Sequence, residues 1–394
     1  MIQSRHNKIH GGAAIFIVVF SALLMLVVTL SFAQLMIGDQ RQATTADLSQ
    51  SAYDSALAGV EDAKRAIIAA DNCTSGASCS AMRSTLRTDS CDMVQRVLGG
   101  AAGDEQGVGT GAVAADLDQA YTCAKVVLNT DDYIKSVAAN ESVMVPLKGV
   151  SRFNQVRVSW FTLEDLEDSQ IVSVTNETNA LPVQGETTWP QSRPALLRTQ
   201  LMQTDDQFTL DQFDDSDDGE SNANTLFLYP SLAGTSSKDF ALDSRRAGES
   251  SAGTPSPVKC ITSLVAGQYA CSTTINLPDP RSGSASSRDN AFLFLTMLYN
   301  KSNVKIELLN NSNIVQFDGV QPIADVTGRA NDVFRRVQAR LETGANTVYP
   351  QAALEVRNGL CKDFSVTDRS GDYNNNSGPL CYWQPATAAG ATTP

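Results

Sequence analysis

The chain has 394 residues, with 43 Asp and Glu, 30 Lys and Arg, two His and a net charge of −13. Both histidines, His6 and His10, lie in the first ten residues, so everything beyond lacks the usual general base and the commonest transition-metal ligand. Ser-His-Asp and Cys-His nucleophilic sites, HExxH zinc sites and His-ligated iron or copper are excluded there. After residue 38 the chain carries 28 bases against 43 acids with no basic cluster, which argues against nucleic acid as a partner.

Residues 11–38 hold no formal charge. Their apolar centre, from Ala14 to Leu30, is long enough to cross a bilayer as a helix. Arg5 and Lys8 precede it and Asp39 follows it, so the positive-inside bias predicts a cytoplasmic N-terminus and an extracytoplasmic body. A cleaved secretory peptide is the competing reading. It calls for a shorter apolar region and a small-x-small cleavage site, whereas here the apolar run continues into a helical pattern.

From residue 40 to 70, Leu48, Ala52, Ala56, Gly59, Ala63 and Ile67 form one stripe at helical spacing, with Tyr53, Leu57 and Val60 beside it. Read as one helix, residues 13–70 reach about 87 Å at ~1.5 Å per residue. A disulfide-tied turn then leads to a second helix over 81–98. A glycine-rich link follows at 99–111, and helical spacing returns over 113–129.

All eight cysteines lie beyond the apolar segment: Cys73, Cys79, Cys91, Cys123, Cys260, Cys271, Cys361 and Cys381. An even count in an exported body, without CxxC pairs for zinc, predicts disulfides. Spacing suggests Cys260–Cys271 and Cys361–Cys381 as local loops, and leaves the pairing among the first four open.

Beyond Val143 the period changes to that of strands. Strands are expected at 153–162, 195–203, 224–229, 257–264, 268–277, 291–299, 304–309 and 332–341. They form an antiparallel β domain after a helical one, an α+β fold. Asp214, Ser216 and Asp218 fall at positions 1, 3 and 5 of a candidate calcium loop with Gly219 at 6. Thr225 stands where an EF-hand needs its bidentate Glu, so a true EF-hand is rejected, and a solvated acidic loop is the plainer reading. No other cofactor is expected. Trp160, Trp189 and Trp383 read equally as core anchors or ligand contacts.

Gly11-Gly12-Ala13 sits where basic residues give way to the apolar helix. A basic leader ending in glycine, an apolar segment and a continuous amphipathic helix resembles the type IV pilin superfamily. The stretch Ala52-Tyr-Asp-Ser-Ala-Leu-Ala-Gly-Val-Glu-Asp-Ala-Lys-Arg-Ala-Ile resembles the post-membrane helix of PilX-type minor pilins and GspK-type pseudopilins, which commonly carry an aromatic-x-x-Ala-x-x-Gly-x-x-x-Ala pattern. A weaker likeness surrounds residues 326–341, and a Cys361–Cys381 loop would resemble the one near many pilin C-termini. The sequence departs from major pilins in having Ile17 where they carry a Glu after cleavage. That departure is expected of a minor subunit at or near a filament tip.

The resemblance implies cleavage by a prepilin peptidase at Gly11 or Gly12, leaving Ala13 or Gly12 first. It also implies packing against other pilin subunits through the N-terminal helix, handling by an inner-membrane assembly machinery, and no catalysis. The resulting division is a leader at 1–12, a transmembrane helix at 13–37, its amphipathic continuation at 38–70, a helical disulfide-tied region at 71–145, the β domain at 146–345, a C-terminal disulfide loop at 346–382 and a disordered tail at 383–394. The rival reading is a single-pass type II membrane protein with an extracellular binding domain. A tethered carboxylate hydrolase is the third, with no spacing that singles out a pair.

Overall fold

A computed structural model describes residues 11–73, 76–100, 103, 105–108, 118–166, 171–176, 188–204, 225–239, 256–283 and 290–342. The fold is α+β: a long apolar N-terminal helix, two short helices, and a body of strands carrying disulfides. The chain divides into two compact units, Met1–Val126 with Ala324–Ala339, and Val127–Ile323 with Arg340–Pro394.

In the first unit, helix α1 runs without a break over Gly11–Asn72, 62 residues, about 93 Å at ~1.5 Å per residue. No proline interrupts it, and Ala, the strongest helix former, is the commonest residue of its outer half. Ala52, Ala56, Ala63, Ala66, Ile67 and Ala70 are buried along one face, while Tyr53, 43% exposed, and Leu57 lie off it. The single helix expected over 81–98 is instead two, α2 (Ala77–Thr85) and α3 (Met93–Leu98). Thr88-Asp89-Ser90 breaks it. The Thr88 hydroxyl donates to the Thr85 carbonyl at 2.7 Å, and Asp89 adopts a left-handed φ of 46°. Short polar side chains that bond nearby backbone compete with helix in this way.

The helical reading of 113–129 also fails where it can be tested, because Ala120–Thr130 is a strand, β2. Ala120, Tyr121 and Ala124 sit at helical spacing, but Thr122, Val126, Val127 and Thr130 favour a pleated surface. Its partner in the sheet lies some two hundred residues on, where local spacing cannot register it. β1 (Gln106–Gly107), β2, β14 (Phe317–Ala330) and β15 (Val333–Arg340) form a four-stranded sheet in the order β1-β2-β14-β15. β14, the longest strand among the described residues, is hidden in the sequence by Gly319, Pro322 and Gly328, which read as breakers. Disulfide Cys91–Cys123 ties the start of α3 to β2, and Cys73–Cys79 ties the end of α1 to α2.

The second unit is a two-layer sandwich. One sheet has the order β13-β12-β5-β10-β8, with a further strand, β3, pairing β12. Its members are β3 (Tyr133–Val137), β5 (Phe153–Thr162), β8 (Ser237–Asp239), β10 (Tyr269–Arg281), β12 (Ser302–Asn310) and β13 (Asn313–Val315). The other has the order β4-β11-β6-β7-β9: β4 (Ser142–Pro146), β6 (Leu196–Thr204), β7 (Thr225–Ser231), β9 (Ser256–Lys259) and β11 (Asn290–Leu298). Alternate residues from both sheets make one core, Val156, Val158 and Trp160 among them on one side and Leu293, Leu295 and Met297 on the other.

The expected antiparallel domain needs correction to a mixed one, since β10 pairs β8 and β7 pairs β9 in parallel. The strand expected over 257–264 ends at Lys259. From there the backbone turns, and Cys260 joins Cys271 across a bridge between the two residues. Strands β3 and β4 were not anticipated at all.

Candidate functional site: the N-terminal helix and its sheet

Helix α1 has two halves with opposite surroundings. From Ile15 to Ile37, seventeen large apolar side chains stand exposed, Ile17 among them. Burying each contributes about 1.5–3 kcal/mol, so this half cannot remain in water. It is the one helix among the described residues long and apolar enough to cross a membrane, and none of that window is buried by the protein. Gly11, Gly12 and Ala13 form the first turn of α1. The preceding basic residues, and with them all of the expected leader except Gly11 and Gly12, lie outside the described residues.

The outer half docks on the four-stranded sheet through small residues. A Cβ atom added at Gly59 would come within 2.6 Å of Val326 Cγ1 and 2.9 Å of the Tyr121 ring. One added at Gly328 would meet the Ala52 carbonyl oxygen at 2.1 Å and the Ala56 nitrogen at 2.3 Å. Helix and strand therefore touch backbone to backbone, which only glycine and alanine permit. Ala56, Gly59 and Ala63 of the aromatic-x-x-Ala-x-x-Gly-x-x-x-Ala pattern are the residues turned to the sheet. In this chain the motif is a packing code.

Polar contacts fix the register. The Tyr121 hydroxyl donates to Asp62 Oδ2 at 2.9 Å, and Arg335 Nε donates to Ser49 Oγ at 2.7 Å. Burial first, then the bond to Asp62, push the Tyr121 hydroxyl above its usual range. Within the sheet, the Arg336 guanidinium beside Asp325 holds that carboxyl below its usual value. Arg329 pairs with Glu105 and Asp118. Of residues 326–341, singled out for a weak family likeness, 326–339 thus lie in the β14–β15 hairpin and belong to the same unit as α1. Sequence spacing gave no sign of that pairing.

Of the other residues expected to form sites, Cys73, Cys79, Cys91, Cys123, Cys260 and Cys271 are all joined in disulfides. Cys361, Cys381, Asp214, Ser216, Asp218 and Trp383 lie outside the described residues, as does the expected tail. Among the described residues no group of three or more His, Cys, Asp or Glu is placed to hold a metal. Trp160 is a core residue whose indole donates to the Ala195 carbonyl at 3.0 Å.

No protein-family model, curated protein or solved structure matches this chain.

Proposed function

We propose that the chain is a minor pilin-like or pseudopilin-like structural subunit. The precursor is anchored in the membrane by the apolar half of α1, with its N-terminus in the cytoplasm. A prepilin peptidase removes the leader at Gly11 or Gly12, and α1 then packs among the helices of other subunits in a filament handled by an inner-membrane assembly machinery. The strand-rich body is displayed outside, where it primes or caps assembly or presents an adhesive surface. This work needs no catalysis and no cofactor.

One observation carries the reading: α1 is a single 62-residue helix whose inner half is apolar and bare while its outer half is seated on a sheet. A simple anchor needs about 20 residues and no rigid continuation. A continuous rod that carries its folded body on one half leaves the other half available to lipid in the precursor and to neighbouring helices afterwards. Both environments satisfy the same apolar side chains. The absence of an acidic group at Ile17 also makes storage in lipid less costly.

The test is the intact mass and N-terminal sequence of the protein from its native cells. A mature chain beginning at Gly12 or Ala13 is expected. A chain still beginning at Met1 would leave a static single-pass membrane protein with an external binding domain as the better account.

A further inference from the structure

In the second unit, Arg193 is 4% exposed, yet no carboxylate pairs with it among the described residues. Its Nη2 donates to Thr175 Oγ1 at 2.8 Å and to the Tyr229 hydroxyl at 2.5 Å. Its guanidinium carbon lies 4.7 Å from the Trp189 ring centroid and 4.9 Å from that of Tyr229. Aromatic faces and neutral hydroxyls offset part of the cost of enclosing a cation, and leave its net charge uncompensated.

Two enclosed donors in this cluster have no acceptor among the described residues: Arg193 Nε–H and the indole N–H of Trp189, a residue 6% exposed. The great majority of buried donors in proteins are satisfied, and an orphan calls for a partner such as water or an ion. Arginine and indole nitrogens only donate, so the missing partner must bring lone pairs. The unbalanced positive charge favours one that is also negative.

The surroundings hold these groups in place. The Asn300 amide donates to the backbone carbonyls of Gln191 at 2.7 Å and Arg193 at 2.8 Å. The Arg193 N–H donates to the Pro190 carbonyl, and Ser173 N–H to that of Ser192. Tyr299, its ring 5.1 Å from that of Trp189, is held at a φ of 73°, a conformation bulky residues seldom adopt. Strain of this kind gathers where surrounding structure fixes a site.

We propose that Arg193 and Trp189 form a receptor for an oxyanion, a carboxylate or phosphate group that enters as a small anion or as the tip of a larger ligand. The receptor is independent of the anchoring and assembly role of α1.

The test uses the full chain in detergent, titrated separately with sodium acetate and sodium phosphate at an ionic strength held constant with sodium chloride. Tryptophan fluorescence and thermal midpoint are the readouts. Arg193→Lys keeps the charge but loses the guanidinium fork, and Trp189→Phe keeps an aromatic ring but loses the N–H. A saturable response to acetate, phosphate or both is expected in the wild type, weakened about tenfold in Arg193→Lys and several-fold in Trp189→Phe. Response to acetate alone makes the ligand a carboxylate, and response to phosphate alone a phosphate. No saturable response in the wild type, or an equal one in Arg193→Lys, overturns the proposal and leaves water as the partner of these donors.

Discussion

The α-carbon of Gly328 approaches helix α1 so closely that a methyl group there would sit 2.1 Å from the carbonyl oxygen of Ala52. The neighbour is backbone, so no side-chain rotation relieves the clash. Gly328→Ala must therefore push β14 away from the helix. Overpacking of this kind costs about 1–3 kcal/mol, and the expected result is a fall of that size in urea-unfolding stability for the first unit. Unchanged stability would mean that helix and strand do not meet at this point.

Tyr121, in the first unit, and Tyr133 and Tyr269, in the second, all have hydroxyls raised above the ordinary value, in each case first by burial. Carboxylates reinforce it, Asp62 for Tyr121 and Glu342 for Tyr133. A raised folded-state value means that the unfolded chain loses these protons first. Their contribution to stability is complete below about pH 10 and is lost as pH rises beyond it. Tyrosinate absorbance should therefore appear in step with unfolding for these residues. Asp325 has the opposite sign: its lowered carboxyl contributes above the ordinary carboxylate range and loses that contribution as pH falls. Because Arg336 is exposed, solvent screening keeps that contribution small.

Asp165 is 3% exposed and accepts from the Thr162 N–H at 2.7 Å, from the Asn303 N–H at 3.0 Å and from the Asn303 amide at 3.1 Å. It thereby pins the end of β5 to the start of β12. Asp165→Ala leaves those donors without a partner, at a cost of about 2–4 kcal/mol. Thermal unfolding of the second unit should register the loss, and a midpoint within error of wild type would contradict it.

Disulfide Cys91–Cys123 closes a sequence separation of 32 residues, against 6 for Cys73–Cys79. Chain-entropy reasoning gives the longer loop about 3–4 kcal/mol and the shorter one less. The Cys91→Ser/Cys123→Ser double variant should thus lower the urea midpoint more than Cys73→Ser/Cys79→Ser does. The reverse order would place the main constraint at the end of α1.

Replacing Gly11 and Gly12 together with leucine should leave an uncut precursor in the membrane fraction, read by intact mass. Normal processing of that variant would count against a prepilin junction at this position.

Much of the first unit was legible in the sequence because its signals are local. The uncharged run at 11–38 and the Ala52–Ile67 stripe lie within a few turns of one helix, and periodicity alone identifies them. Most strands of the sandwich were also visible, since inward and outward residues alternate along β5, β6, β10, β11 and β12. Hidden were β14 and β2, whose glycines, proline and short apolar spacing mislead when read without a partner. Hidden too was the Arg193 cluster, drawn from four separate stretches around residues 175, 189–193, 229 and 299 that no spacing links.

By itself the sequence determined an acidic, disulfide-forming chain with one apolar helix continuing into an amphipathic one. Charge, cysteine placement and helical period are properties of neighbouring residues and survive without a fold. Only the tertiary structure decided that the Ala-Gly stripe docks on β14, that residues 326–339 belong with the N-terminal helix, and that a buried arginine stands without a carboxylate among the described residues. Each of those depends on which distant strands meet, and their meeting is set by the summed burial of side chains far apart in the chain.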